Sequence, residues 1–368
     1  MKQFVLSIII LFNIGNACAT DFDKIDKQSE SVPANLKTAT EIAHYLTRNL
    51  SNPTDKTRAI FYWITQNIKY DVAGMNSYKT YSNTQELVDE VLKKRKGVCS
   101  NYSALFQALC QSIGIQSYII DGYIRLNGKL MLEGHSWNAV YIANHFYDID
   151  VTWSSGFVSG NKFKQQFSDK YFMVQPSEFI KTHMPTDPIW QFSTNPITFK
   201  DFDTNNFQKL NYTSNFNFVD SIRSISTLTT QENLSRKKLR VIHLGITNSF
   251  IKEELINLTN EIEDEELLAV TKKFNHGVEI YNNSILIYNK YVLNREKDNT
   301  ISSTNIEKNL NLLTSSRSQL DMSLNILNEI KTRNRKLYAK ITTLKNQINR
   351  EHNIIDNEIS TMRKSLNN

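Results

Sequence analysis

The chain has 368 residues, 22% of them charged and 11% aromatic, a composition that fits a folded protein and excludes a wholly disordered one. That length exceeds one ordinary compact core, so a globular domain plus a second element is expected. The 43 basic and 37 acidic residues leave a formal net charge of +6. The basic residues are dispersed and not interleaved with aromatics, so no nucleic-acid partner is expected.

In chain order, Met1-Lys2 gives a short positive start, and Phe4 to Phe12 is an apolar run well short of the roughly 20 residues a membrane span needs. Residues 1–19 read as a signal peptide, with Ala17-Cys18-Ala19 supplying the small residues of a cleavage site after Ala19. The alternative is a lipoprotein anchored to the membrane at Cys18, to which Gly15 and Asn16 are a poor lead-in. Both readings predict an exported protein, periplasmic or extracellular.

Residues 20–200 carry the signals of one α+β domain. Asp21 to Val32 is polar and reads as loose. Thr38 to Leu50 has Ile42, Tyr45, Leu46 and Leu50 on one helical face, and Asp55 to Ile68 has Ile60, Trp63, Ile64 and Ile68 on another, with Pro53 between them. A short helix over Thr84 to Lys94 follows the capping candidates Ser82 and Asn83. The next helix starts at Cys99: Tyr102, Leu105, Phe106, Leu109 and Ile113 recur at helical spacing, and Gly114 sits where a left-handed C-terminal cap belongs.

The period then changes to two, which predicts strands over Gln116 to Ile124, His135 to Ile142 and Phe146 to Trp153, the last two joined by a tight Asn144-His145 turn. Helices followed by an antiparallel sheet make an α+β layout. A Pro-bearing stretch, Pro176 to Pro196, closes this region.

Residues 201–245 read as a poorly defined linker, and 246–368 as an all-α, coiled-coil-like region. Proline is absent after Pro196 and glycine after Gly277. Ile306, Leu313, Leu320, Leu327, Asn334, Ile341, Ile348, Ile355 and Met362 form an unbroken seven-residue repeat with one polar member, Asn334, which would fix register. Such a stripe needs a partner. Helices within Phe250 to Leu293 would give an intramolecular hairpin, the favoured reading; a second chain would give self-association.

Three cysteines occur, at 18, 99 and 110. Cys99 and Cys110 lie roughly 16 Å apart if they share a helix, too far for a disulfide. An exported protein that keeps an unpaired thiol invites a catalytic explanation. Cys99 stands at a helix N-terminus, where backbone N–H groups and the aligned dipole favour the thiolate. Cys110, in the helix body, fits a buried small apolar residue.

Gly97 would let the chain approach a substrate without an obstructing side chain, and the Cys99 N–H is a candidate oxyanion donor. His135, at a strand start, can act as base. Asp150, inside a predicted strand, is unfavourable there unless it has a partner. With Asn144-His145 as the turn, Asp150 falls opposite Ala139, on the face of His135 but about 13 Å away along a flat ladder, so contact requires strong twist or a bulge. Asp148 shares that face at a greater distance. Tyr70, Tyr102 and Trp137 are candidates to line the cleft, whereas Trp153 and Trp63 read as core.

Three motifs carry a family resemblance. Gly97-Val98-Cys99-Ser100-Asn101-Tyr102-Ser103-Ala104-Leu105-Phe106, Gly134-His135-Ser136-Trp137-Asn138-Ala139-Val140 and Asp150-Val151-Thr152-Trp153 resemble those of the transglutaminase-like superfamily, especially its kyphoscoliosis-peptidase-like branch. Ile60 to Asp71 also looks like that branch's helix leading to the core. The resemblance covers roughly Ala39 to Trp190. It implies a papain-like fold in which Cys99 is the nucleophile, His135 the general base and acid, and Asp150 the orienter of the imidazole.

The reading is an exported cysteine peptidase or amidase acting on a peptide or protein substrate through a thioester. The alternatives are a protein-glutamine transglutaminase with an amine acceptor, and a non-catalytic scaffold that works through its helical half. No cofactor is expected, and no metal-ligand spacing stands out.

Overall fold

The computed structural model describes residues 22–76, 81, 83–207, 217–297 and 303–366. The predicted signal peptide, including Cys18, and the capping candidate Ser82 lie outside these. The chain divides into two compact units: one holds residues up to Ser224 with Arg240–Lys252, the other Ile225–Leu239 with Glu253–Asn368.

The first unit opens with α1 (Asp23–Ser29), α2 (Ala39–Thr47) and α3 (Pro53–Asn67). Thr38 and Glu41 form a capping box at the start of α2, and Asn52 caps α3 with Pro53 at its first turn, where a missing N–H costs nothing. The strand β1 (Lys69–Tyr70) leaves α3, α4 (Thr84–Lys94) follows, and β2 (Lys96–Gly97) pairs with β1 in parallel, Tyr70 against Gly97. Helix α5 (Cys99–Ser112) comes next. Its apolar face joins those of α2, α3 and α4 in one core that contains Ile42, Leu46, Trp63, Leu105, Phe106 and Leu109.

β3 (Ser117–Leu126), β4 (Lys129–Ile142) and β5 (His145–Ile149) form a meander that β8 (His183–Pro185) completes into an antiparallel sheet of order β5-β4-β3-β8. Val140, Ile142 and Ile149 face the helical core, while Ile120, Trp137, Ala139 and Phe179 build a second cluster. The helix α6 (Val151–Ser155), the hairpin β6 (Gly156–Ser159) and β7 (Lys162–Gln165), and α7 (Pro176–Phe179) connect β5 to β8. The predicted α+β layout is therefore present.

Two local expectations are corrected. The β4–β5 turn is Ala143-Asn144, both with positive φ (51° and 63°), so Ile142 pairs with His145 and Asn138 with Ile149. Asp150 thus falls level with Trp137, two residues nearer His135 than the flat ladder predicted. The strand predicted to reach Trp153 stops at Ile149, and Asp150 caps α6.

The expected linker over 201–245 contains helix: the end of α8 (Phe199–Asp203), α9 (Phe218–Ser224) and α10 (Thr230–Leu244). Beyond it run α11 (Ser249–Lys297), α12 (Ser303–Asn328) and α13 (Arg335–Leu366). In the second unit the apolar stripe closes on α11 within the same chain, with Tyr281 and Tyr291 in one cluster with Leu313, Leu320, Leu327, Ile341, Ile348 and Ile355. Ser284 Oγ donates to the Ser316 carbonyl at 2.8 Å and Ser316 Oγ to the Ser284 carbonyl at 3.0 Å, a contact only small side chains permit.

The stripe is nevertheless not one helix. It breaks between Asn328 and Arg335, and Asn334 does not set register inside a seam: its Oδ1 accepts the Leu337 N–H at 3.0 Å and caps α13. Among the described residues, no helix is long and apolar enough to cross a membrane.

Candidate active site

Cys99 occupies the first position of α5, behind Val98. The Val98 N–H donates to Asn101 Oδ1 at 2.8 Å, which ties the entering chain to the first turn. A Cβ on Gly97 would come within 2.5 Å of the Asn101 Cβ. The missing side chain at Gly97 therefore makes room for this cap; it was expected to make room for substrate. Cys99 is partly exposed and Cys110 fully buried, both as free thiols.

His135 lies in β4 just after an irregularity. Gly122 pairs with His135 and Ile124 with Met131, so β4 advances four residues where β3 advances two. The ring is 7% exposed and Asp150 is 0% exposed. His135 Nε2 and Asp150 Oδ2 are 2.7 Å apart, and Asp150 Oδ1 accepts the Trp153 N–H at 3.0 Å. With Nε2 engaged by Asp150, Nδ1 is the nitrogen left for the Cys99 thiol, whose ionisation His135 favours.

The charges are mutually dependent. Burial alone would push the Cys99 thiol up, but the hydrogen bond and charge of His135, together with the Ser136 N–H, bring it below its ordinary value. Burial would push His135 down, yet the Asp150 carboxylate beside it and the Cys99 hydrogen bond push it up to about 10. Asp150, for which burial is again the largest influence, is held below the usual carboxylate range by His135 and His183. The combination favours a thiolate–imidazolium pair with an ionised carboxylate behind it. By contrast, burial pushes Cys110 up with nothing to offset it.

Of the three cleft candidates, Tyr70 packs partly buried against the helical core. It is partly exposed, and burial raises its phenol, with further upward contributions from the neighbouring Cys99 and Asp150 charges. Tyr102 is fully buried and donates its hydroxyl to the Ile68 carbonyl at 2.6 Å, so it belongs to the core. Trp137 is 1% exposed and lies near-parallel to the His135 ring at 6.1 Å, a support behind the imidazole and not a cleft wall. Trp153, read as core, is partly exposed with its ring 5.6 Å from His135.

Sequence reasoning missed His183. It is 0% exposed, and its Nε2 lies 3.1 Å from Asp150 Oδ2, the oxygen that His135 also uses. His135, Asp150 and His183 each bring one ligand-type atom within 4.8 Å of the others. Because both ring nitrogens point at a single oxygen, the cluster is an arrangement of hydrogen bonds, and we assign no metal ligands there.

An α+β core with a buried His–Asp pair beside the first turn of α5 is a transglutaminase-like arrangement. The sequence model of the Transglutaminase-like superfamily matches residues 40–151, and this part of the chain is a domain of that superfamily. The match takes in Cys99, His135 and Asp150.

Human kyphoscoliosis peptidase is 28% identical over 196 residues, covering 51% of this chain and 29% of that one. Hillarin of Drosophila melanogaster is 26% identical over 204 residues, covering 50% and 24%. The chain thus spans less than a third of either relative. The periplasmic domain of TgpA from Pseudomonas aeruginosa, a solved structure, aligns at 17% identity and a TM-score of 0.27 over 36% of this chain and 49% of that one.

Proposed function

We propose that this protein is an exported cysteine hydrolase, a peptidase or amidase, that cleaves carboxamide or peptide bonds through Cys99, His135 and Asp150. The observation that carries the reading is the buried His135–Asp150 hydrogen bond through Nε2 at 2.7 Å, which leaves Nδ1 for the Cys99 thiol at the start of α5. The thiolate attacks the carbonyl carbon, and the first-turn N–H of Cys99, which has no intrahelical partner, faces the developing oxyanion. The His135 imidazolium gives its proton to the departing nitrogen as the C–N bond breaks, leaving a thioester on Cys99. His135, now neutral, removes a proton from water as the oxygen adds to the thioester carbon; the C–S bond then breaks, the carboxylic acid leaves, and the Cys99 thiolate beside the His135 imidazolium is restored.

The peptidase name of the human relative agrees with hydrolysis. Water at about 55 M also outcompetes an amine acceptor unless the site excludes it. Export rests on the apolar, signal-like stretch at residues 4–12.

The test is incubation with a glutamine-containing peptide and a labelled primary amine, using Cys99→Ala as control. New peptide ends or ammonia without labelled product support the hydrolase. Labelled product would replace it with the transferase, and no product of either kind under conditions where Cys99 is reactive would favour the scaffold.

A further inference from the structure

We propose that His183 is a positioning residue of this site: its imidazole donates a second N–H to Asp150 Oδ2 and thereby limits how strongly the carboxylate stabilises the His135 imidazolium. The inference rests on the Cys99–His135–Asp150 reading given above.

His183 is built in from every side. Its Nε2 lies 3.1 Å from Asp150 Oδ2, a carboxylate oxygen that can only accept, so the ring proton sits on Nε2; Nδ1 is then an acceptor for Thr182 Oγ1 at 2.8 Å, a shorter contact than the 3.2 Å from that hydroxyl to the Phe179 carbonyl. Phe179 stacks on the ring at 3.9 Å, Trp137 meets it edge-on at 5.2 Å and Trp153 packs at 4.6 Å. An imidazole so enclosed cannot turn to another partner. Burial lowers its pKa to about 4, so it stays neutral across the physiological range.

Asp150 Oδ2 thus accepts from two imidazoles at once, at 2.7 Å from His135 and 3.1 Å from His183. Two donors on one oxygen weaken each other, because each withdraws electron density that the other would use. With the His183 donor removed, the carboxylate becomes more basic, its bond to the His135 Nε2–H strengthens, and the charged imidazolium is favoured over the neutral ring. The imidazolium is thereby stabilised as a whole, so its Nδ1 proton, the one that has to reach the leaving nitrogen, is given up less readily and acylation slows. The other ionisable groups facing this cluster are Cys99 across His135, Tyr70 near Asp150, Asp148 lining the same small cavity as His183, and Lys170 and Tyr171 on its remaining side.

The experiment is an NMR titration of 15N-histidine-labelled full-length protein, following the His135 ring nitrogens in wild type, His183→Leu, His183→Gln and Thr182→Ala. Gln places an N–H donor near the Nε2 position and cannot titrate. The expected result is a His135 midpoint raised by about one pH unit in His183→Leu, about tenfold firmer proton binding, with return toward wild type in His183→Gln. A smaller rise is expected in Thr182→Ala, which decides the matter if His183→Leu does not fold.

A residue that merely fills space would change thermal stability and leave the midpoint alone. An unmoved midpoint in the folded variants, or no rescue by Gln, overturns the proposal. Cys99 alkylation in the wild type is read separately, so an inert thiol would count against the hydrolase reading and leave the His183–Asp150 coupling to be judged by the titration.

Discussion

Asp150 Oδ1 accepts the Trp153 N–H at 3.0 Å, so the carboxylate that holds His135 also caps helix α6. One oxygen has a structural partner and the other a chemical one. Asp150→Asn keeps the shape and can keep the cap, but it removes the charge that raises His135. Activity should fall by roughly 10²–10⁴-fold, and Cys99 labelling at pH 7 should slow markedly. The stability loss has a defined sign. Asp150 is held below its unfolded value, so its contribution is present above the ordinary carboxylate range near about 4 and disappears as the pH falls. Unfolding of wild type and variant at pH 7 and pH 3 should show the gap between them closing at the lower pH.

Asp148, three-hundredths exposed and in β5, carries the opposite sign. Burial raises its pKa well above normal, with only a smaller downward pull from the Trp137 indole. A raised folded value means that stability is full below the unfolded value near about 4 and is lost as the pH rises toward the folded one. Asp148→Asn should therefore stabilise the protein near neutrality by about 1–2 kcal/mol and give no gain below pH 4. Urea unfolding at the two pH values reads this out, and a gain of equal size at both would show that ionisation is not the cause.

Much of the site was legible in the sequence, for identifiable reasons. Cys99 stood out because a helical period begins there, and Asp150 because a carboxylate in an apolar strand needs a partner. The register was misread because the turn uses Ala143 at positive φ, a conformation its side chain disfavours, and the neighbouring Asn144-His145 looked the better turn.

His183 was hidden for a different reason. Its strand has three residues, too few to show alternation, and its partner lies 33 positions away. Tyr102 and Trp137 have aromatic rings that suit a cleft as well as a core, and only packing decides between them. In the helical half the repeat runs in phase through a break that contains neither glycine nor proline, since Ile330 to Arg333 carry no such punctuation. The single polar member, Asn334, was the sign of a helix start.

That last point separates two accounts of Asn334. As a buried polar position in a continuous seam, it would be stabilised by Asn334→Leu. As the cap of α13, it should lose about 1 kcal/mol in both Asn334→Leu and Asn334→Ala. Thermal unfolding of the two variants decides between them.

Gly97 offers a test of the helix start. A methyl group there would press on Asn101, whose Oδ1 secures the Val98 N–H. Gly97→Ala should cost about 1–3 kcal/mol and slow Cys99 alkylation, whereas Gly97 acting only as a substrate portal would leave both unchanged without substrate. Calorimetry and iodoacetamide kinetics on the free protein measure the two effects.

The most direct measurement is the rate of Cys99 alkylation by iodoacetamide as a function of pH, with Cys110 as the internal comparison. A thiol lowered by His135 should label with a midpoint below the ordinary value of about 8.5, and at pH 7 at least about tenfold faster than the buried Cys110. His135→Ala should move the midpoint back up. A midpoint at or above 8.5 that ignores the loss of His135 would contradict the account.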